Sequence, residues 1–181
     1  MKKEKAATYM FLDDVRRDAV GKIRGLSTEE LERGWERISE TVLEIMVSNE
    51  LVRREGLLIL ELTQRKTVGD EFFRHIIGLA ADGFAPEHLV EIMTNVYWIE
   101  EPSGIDAMVN YMQLRGMLLV CLGISCFELS HFLQSLIPRQ LLVRKAVEIS
   151  GLDAWEGHIW HRETLRRTQE RLQKLRDQAE G

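Results

Sequence analysis

The sequence predicts an all-α protein, built of antiparallel helical hairpins closed as a bundle or stacked as a short armadillo-like solenoid. Three observations carry that expectation. Leu, Glu and Arg are abundant while prolines number 3 and runs of Val, Thr or Tyr are few, a balance that favours helix over strand. Apolar residues recur at helical spacing along most of the chain. A short pattern also recurs: "GLSTEEL" at 25–31, "GFAPEHL" at 83–89 and "GISCFEL" at 123–129.

The pattern reads as a tight corner between two helices. Gly25 can take the left-handed position just past a helix end, and Ser27 can accept hydrogen bonds from the free amides of the next helix. Glu30 stands at capping-box spacing from Ser27, and Leu26 and Leu31 stand at hydrophobic-staple spacing. Gly123, Ile124, Ser125, Glu128 and Leu129 repeat all of these roles. In the middle copy Gly83 stops the helix, Phe84 and Leu89 keep the staple, and Pro86 suits a first helical position. Ala85 cannot cap there, and His88 replaces the acid. A weaker fourth copy at Gly151, Leu152, Asp153 and Glu156 has Gly157 in the leucine place. Around the second and third copies Leu79 matches Leu119, Ile92 Phe132, Met93 Leu133 and Val96 Leu136. Either an internal repeat of about 40 residues or convergent capping chemistry accounts for this.

Caps and apolar spacing place helices over 4–23, 28–47, 49–66, 71–82, 86–100, 104–122, 126–137, 139–150 and 154–178, with the second and third able to form one long helix. Ser103 is placed to cap the helix after "EPSG", with Asp106 at the capping-box position. Leu165, Leu172 and Leu175 form a narrow seam on an otherwise charged last segment, so 154–181 reads as a solvated C-terminal helix, with a partner-binding coiled coil as the other reading.

Composition bounds the rest. A chain of 181 residues, 45% hydrophobic and 29% charged, can bury one core, and residues 1–181 are expected to form a single domain. The net charge of −5, with both signs mixed along the chain, argues against nucleic acid and anionic lipid as partners. Cys121 and Cys126 lie in an apolar stretch and read as buried free thiols. The longest uncharged run, 116–127, is too short to span a bilayer, and the charged start does not read as a signal peptide. A cytoplasmic location is the expectation.

Chemistry is sparse. His158 and His161, with Glu156 and Glu163 beside them, could offer two imidazoles to a metal, but no second ligand cluster has recognisable spacing. Histidines flanking a packed Trp160 are the favoured reading. His75, His88 and His131 stand alone, no phosphate loop or nucleophile elbow is present, and neither cysteine has a neighbour that would activate it. No catalytic residue, cofactor or metal is assigned.

Residues 42–101 carry a resemblance. "VRREGLLILE" followed by "DEFFRHIIGLAADGFAPEHLVEIMTNVYWIEE" resembles the cytoplasmic segment of MotA-type flagellar stator subunits. There an Arg-x-x-Gly-Leu-Leu-x-Leu-Glu helix precedes one ending in Asp-Gly and another opening with Pro-Glu. The resemblance implies that Arg53 and Glu61 hold the family's basic and acidic positions, which engage the rotor protein FliG. Gly56, Leu57, Leu58, Leu60, Asp82 and Gly83 match as packing and turn positions. The likeness covers about one third of the chain, and this chain lacks the family's membrane spans, so only a partner-facing surface is implied. The hairpin "MLLVCLGISCFELSHFLQSLIPRQ" is more loosely similar to the armadillo-like repeats of FliG.

Three functions compete. The first is a non-catalytic interaction module, rotor-facing or motor-related, in which Arg53 and Glu61 share a helix face. The second is a general helical-repeat adaptor that takes a peptide or helix on an exposed apolar patch. The third is a metal-binding or enzymatic protein built on His158 and His161. The identity of the partner and the oligomeric state are left open by the sequence.

Overall fold

The computed structural model describes the backbone of residues 2–61, 70–150 and 156–180, and the side chains of 12–61, 70–148 and 160–177. Among these residues the chain is helical throughout. The helices are α1 (Lys2–Arg24), α2 (Thr28–Glu55), α3 (Glu71–Ala81), α4 (Pro86–Glu100), α5 (Gly104–Cys121), α6 (Cys126–Ser135), α7 (Arg139–Ser150) and α8 (Glu156–Glu180). A 3-10 turn, Leu57–Ile59, follows α2. They pack as a bundle about one shared core.

Capping chemistry sets the helix starts. The Glu30 amide donates to Ser27 Oγ at 3.2 Å, and the Ser27 amide donates to Glu30 Oε2 at 2.8 Å, a reciprocal box that opens α2. Ser125 and Glu128 open α6 in the same way, at 3.2 and 3.3 Å. Asp70 caps α3 by accepting from the Phe73 amide at 2.9 Å. Pro86 opens α4 without a side-chain cap. The cap expected at Ser103 does not form. Its would-be partner Asp106 is turned to Arg37 of α2, so a tertiary ion pair replaces the local box.

Two of the three corners stop their first helix identically. Gly83 (φ 75°) donates to Ala80 O at 3.1 Å and Phe84 to Leu79 O at 3.1 Å. Gly123 (φ 73°) donates to Val120 O at 3.0 Å and Ile124 to Leu119 O at 3.2 Å. This is the Schellman pattern, which needs a left-handed residue at the glycine place. Gly25 departs from the expectation and is not left-handed. Instead Gly25 and Leu26 each bond three residues back, to Lys22 O and Ile23 O, tightening the last turn of α1. The 25–31 segment thus shares the capping-box start of the 123–129 corner but the stop of neither. The fourth corner, at 151–157, begins outside the described residues.

The long helix expected through 66 ends early. α2 runs unbroken past residue 48 but stops at Gly56, whose φ of 83° and ψ of 176° leave the helical region. Residues 62–66 lie outside the described residues.

Two glycines bring α2 and α5 together. A Cβ on Gly34 would lie 2.6 Å from Ile105, and one on Gly116 would lie 2.8 Å from Ile45. Each helix offers a glycine notch to an isoleucine of the other, and the second contact lies eleven residues beyond the first on both helices. The two helices therefore run in the same direction in constant register. α5 is apolar all round and is buried on every side, through Met108, Val109, Met112, Leu114, Met117 and Val120. Helices α1, α3 and α4 pack on α5, while α6, α7 and α8 pack on α2. No helix among the described residues is long and apolar enough to cross a membrane.

The C-terminal helix is not solvated all round. Trp160, Thr164, Thr168 and Leu172 of α8 are buried. Leu172 packs with Leu43 and Val47, flanked by Leu51 and Leu175, while Leu165 joins the main core. Arg167 and Arg171 hold the two oxygens of Glu40 at 2.8 and 2.6 Å. Two threonines fill the stripe between Trp160 and Leu172, so the packed face is wider than its leucines alone imply.

The glycines should separate in substitution experiments. Gly83→Ala and Gly123→Ala force alanine to a positive φ and should each cost about 1 kcal/mol or more by urea unfolding. Gly116→Ala drives a methyl into the fully buried Ile45, and overpacking of about 1–3 kcal/mol should outweigh its gain in helix propensity. Gly21→Ala, inside α1 with open space around its Cβ, should stabilise by about 0.4–1 kcal/mol. The same sign at Gly21 and Gly116 would contradict the notch packing.

Candidate functional site

Arg53 and Glu61 do not share a helix face. Arg53 lies in the last turn of α2, and Glu61 follows the 3-10 turn beyond Gly56, so the break falls between them. The eight-residue spacing holds them on one face only if the helix is continuous. Both side chains are exposed. Neither joins an ion pair among the described residues, whereas Arg54 beside them reaches Glu50 at 3.3 Å. Leu58 lies between them in the chain and is 70% exposed.

Topology fixes what surrounds that break. α2 and α5 are parallel, so Glu55–Leu58 lies at the same end of the bundle as the α5–α6 corner. Two bonds confirm this: Asn49 donates to Ile124 O at 3.3 Å and Cys126 Sγ to Glu50 Oε1 at 2.7 Å. α4 returns antiparallel to α5 through a three-residue connection, which brings the α3–α4 corner to this end as well. The same end thus collects Leu58, Phe84, Leu122 and Phe127, each at least 42% exposed, from three separate segments. The opposite end carries Trp98 and Ile99, neighbours on one helix. Gly83 and Gly123, with Ser125, build the corners that present Phe84, Leu122 and Phe127, whereas Gly25 and Ser27 lie at the opposite end.

Many interior polar groups are engaged with one another, whereas Asn49 Oδ1, Thr94 Oγ1 and Gln113 Oε1 are buried without a hydrogen bond among the described residues. Cys126 donates to Glu50 and accepts from Asn49 Nδ2 at 3.0 Å, and burial together with the Glu50 bond pushes its thiol up to about 12. Burial pushes Cys121 up to about 11. Both thiols are free and protonated at neutral pH. The Tyr97 hydroxyl donates to Asp18 Oδ2 at 2.7 Å, and Gln113 Nε2 donates to Asp70 Oδ2 at 2.7 Å.

His161 is buried, with Nδ1 bonded to Ser130 Oγ and its ring stacked on His131 at 4.6 Å. Phe127 meets both imidazoles edge-on. Stacked rings aim their in-plane lone pairs side by side, so they do not converge on one ion. Among the described residues no three His, Cys, Asp or Glu side chains are grouped to hold a metal. The side chain of His158 lies outside the described residues.

No family model matches the chain, and neither curated proteins nor solved structures include a significant match to it. The exposed apolar group at the α2 end is the feature that sequence reasoning missed. Phe84 reads in the sequence as a staple and Leu58 as a packing position, while Leu122 and Phe127 carry no motif that marks them as exposed.

Glu44 gives a pH test of the α2 environment. Burial pushes its carboxyl up from 4.5 to about 7, helped by Asp70 and Glu40 and opposed by Arg171. The folded protein therefore keeps a proton that the unfolded chain releases between about pH 4.5 and 7. Its contribution to stability is complete below that window and is lost as pH rises through it. Glu44→Gln should match wild type near pH 4 and exceed it at pH 8 by on the order of 1 kcal/mol, discounted for partial exposure. Parallel urea curves at the two pH values check the sign.

Proposed function

We propose that this protein is a non-catalytic protein–protein interaction module that docks an amphipathic helix of a partner on the end of the bundle formed by Gly56–Leu58, the 82–85 corner and the 122–125 corner. The observation that carries this reading is the convergence there of exposed Leu58, Phe84, Leu122 and Phe127 from three segments. Large apolar side chains held out by fixed corners suit the apolar stripe of a helix, which needs anchors rather than a deep cavity. Arg53 and Glu61 flank Leu58 in the chain with charges unspent on other described residues, and so can set the register of a partner bearing both signs.

The stator-like version of this reading makes the partner a rotor component, with Arg53 and Glu61 meeting its charges from either side of the Gly56 break. The general version is a helical adaptor whose affinity lies in the apolar side chains. Charge reversal separates them, because rim charges act mainly on steering and register whereas apolar anchors carry affinity.

A photo-crosslinking amino acid placed singly at Leu58, Leu122 and Ile99, in cells of the source organism, tests both. The expected result is one discrete adduct from positions 58 and 122 and none from 99. Adducts from 99 alone, or none from either end-face position, overturn the docking surface. With the captured partner purified, Leu58→Asp should weaken binding at least tenfold. Arg53→Glu combined with Glu61→Lys should weaken it comparably only if the stator-like version holds.

A further inference from the structure

A second feature lies away from that end, where α8 crosses α2. A cavity of about 230 Å³ opens between the two helices, walled by Trp35 and Ser39 of α2 and by Trp160, Glu163, Thr164 and Arg167 of α8. We infer that it is a binding site for a small one-ring aromatic carboxylate.

Size sets the first limit, because pockets for drug-sized ligands run to roughly 300–1,000 Å³ and this one is smaller, suited to a single ring. Shape and chemistry set the second. Indoles from two different helices give flat apolar walls, and Trp160 is only 4% exposed.

The charge of the site favours an anion. Arg167 spends Nη2 on Glu40 Oε1 at 2.8 Å, and its other guanidinium N–H groups meet no acceptor among the described residues. Guanidinium is always charged and its fork matches a carboxylate. The remaining oxygen of Glu40 is occupied by Arg171 at 2.6 Å, so Arg167 is not needed to neutralise it alone. Lys145, whose ammonium lies 5.8 Å from the Trp35 ring centroid, is already held by Glu32 at 2.7 Å and Glu148 at 3.0 Å, so the anion-binding role falls to Arg167.

Among the described residues Glu163 is the one acid in the wall. Arg166 occupies both of its oxygens, at 2.9 Å through Nε and at 2.5 Å through Nη2, and this pairing offsets its repulsion. The buried Thr164 hydroxyl lines the same space and can donate to the ligand, while Ser39 donates its own proton to Glu36 O at 2.9 Å. A ring between the indoles with its carboxylate on the free edge of Arg167 uses each of these groups.

Benzoate titrated into the full chain, read by intrinsic tryptophan fluorescence, tests the assignment, with benzyl alcohol as the neutral isostere. The expected result is saturable quenching by benzoate below about 10 mM and at least tenfold weaker binding of benzyl alcohol. Arg167→Met, which keeps the methylenes and removes the charge, should erase the difference between the two probes. No saturable signal with benzoate overturns the site, as does equal binding of both probes by the wild type. Unchanged preference in a folded Arg167→Met protein overturns the role of Arg167. Should that variant fail to fold, the wild-type comparison still decides, with Thr164→Leu, which fills the cavity, expected to abolish quenching.

Discussion

The contact on which the other packing depends is the reciprocal fit of Gly34 to Ile105 and of Ile45 to Gly116. Side chains larger than hydrogen at either glycine would hold α2 and α5 apart. Because the two contacts lie at equal spacing on both helices, they fix direction and register together. Each helix then carries its own set of neighbours: α1, α3 and α4 gather on α5, and α6, α7 and α8 gather on α2. Neither half presents a closed core without the other, since the main cluster of buried apolar residues runs from α1 to α8. This is a bundle about a buried central helix rather than a row of stacked repeats, whatever the likeness between the 83–89 and 123–129 corners.

What the sequence disclosed follows the range of the forces involved. The Ser27–Glu30 and Ser125–Glu128 boxes and the Gly83 and Gly123 stops are settled within a few residues, and such local chemistry is legible. Gly25 is a glycine at the same place in the pattern but takes an ordinary φ, because glycine permits the left-handed region without requiring it. Ser103 and Asp106 have capping-box spacing, yet Arg37 approaches from α2 and takes the carboxylate. The stop at Gly56 is likewise tertiary, since the turn after it packs on both α2 and α3.

α8 shows the same divide at the scale of a helix. Its sequence is charged nearly all round, but Arg167 and Arg171 lie along the protein and converge on Glu40, leaving their stems to cover apolar surface. Thr164 and Thr168 pack where leucines were sought, and the Thr168 hydroxyl is satisfied by Thr164 O at 2.8 Å. Binary patterning counts threonine as polar, so it underestimated the buried face. The shared helix face expected of Arg53 and Glu61 fails for the complementary reason: a periodicity argument assumes one continuous helix, and Gly56 ends it.

The distribution of spent and unspent groups bears on function. Buried polar side chains cost about 1–3 kcal/mol when left without partners, and most here are matched: Cys126 with Glu50, Ser130 with His161, Tyr97 with Asp18 and Gln113 Nε2 with Asp70. Such pairs hold the interior in one arrangement, and none of their residues lines the α2–α8 cavity. Binding capacity is left where corner geometry or helix crossing prevents internal satisfaction. At the corners, short connections hold Leu58, Phe84 and Leu122 out of the core because the neighbouring helices already fill the space beneath. At the crossing, Trp35 and Trp160 line a cavity beside Arg167, whose N–H groups outnumber the acceptors they meet among the described residues. The cavity follows from the packing of α8 on α2, and the end surface from α2 together with the α3–α4 and α5–α6 corners, so substitutions that loosen the register of α2 should disturb both.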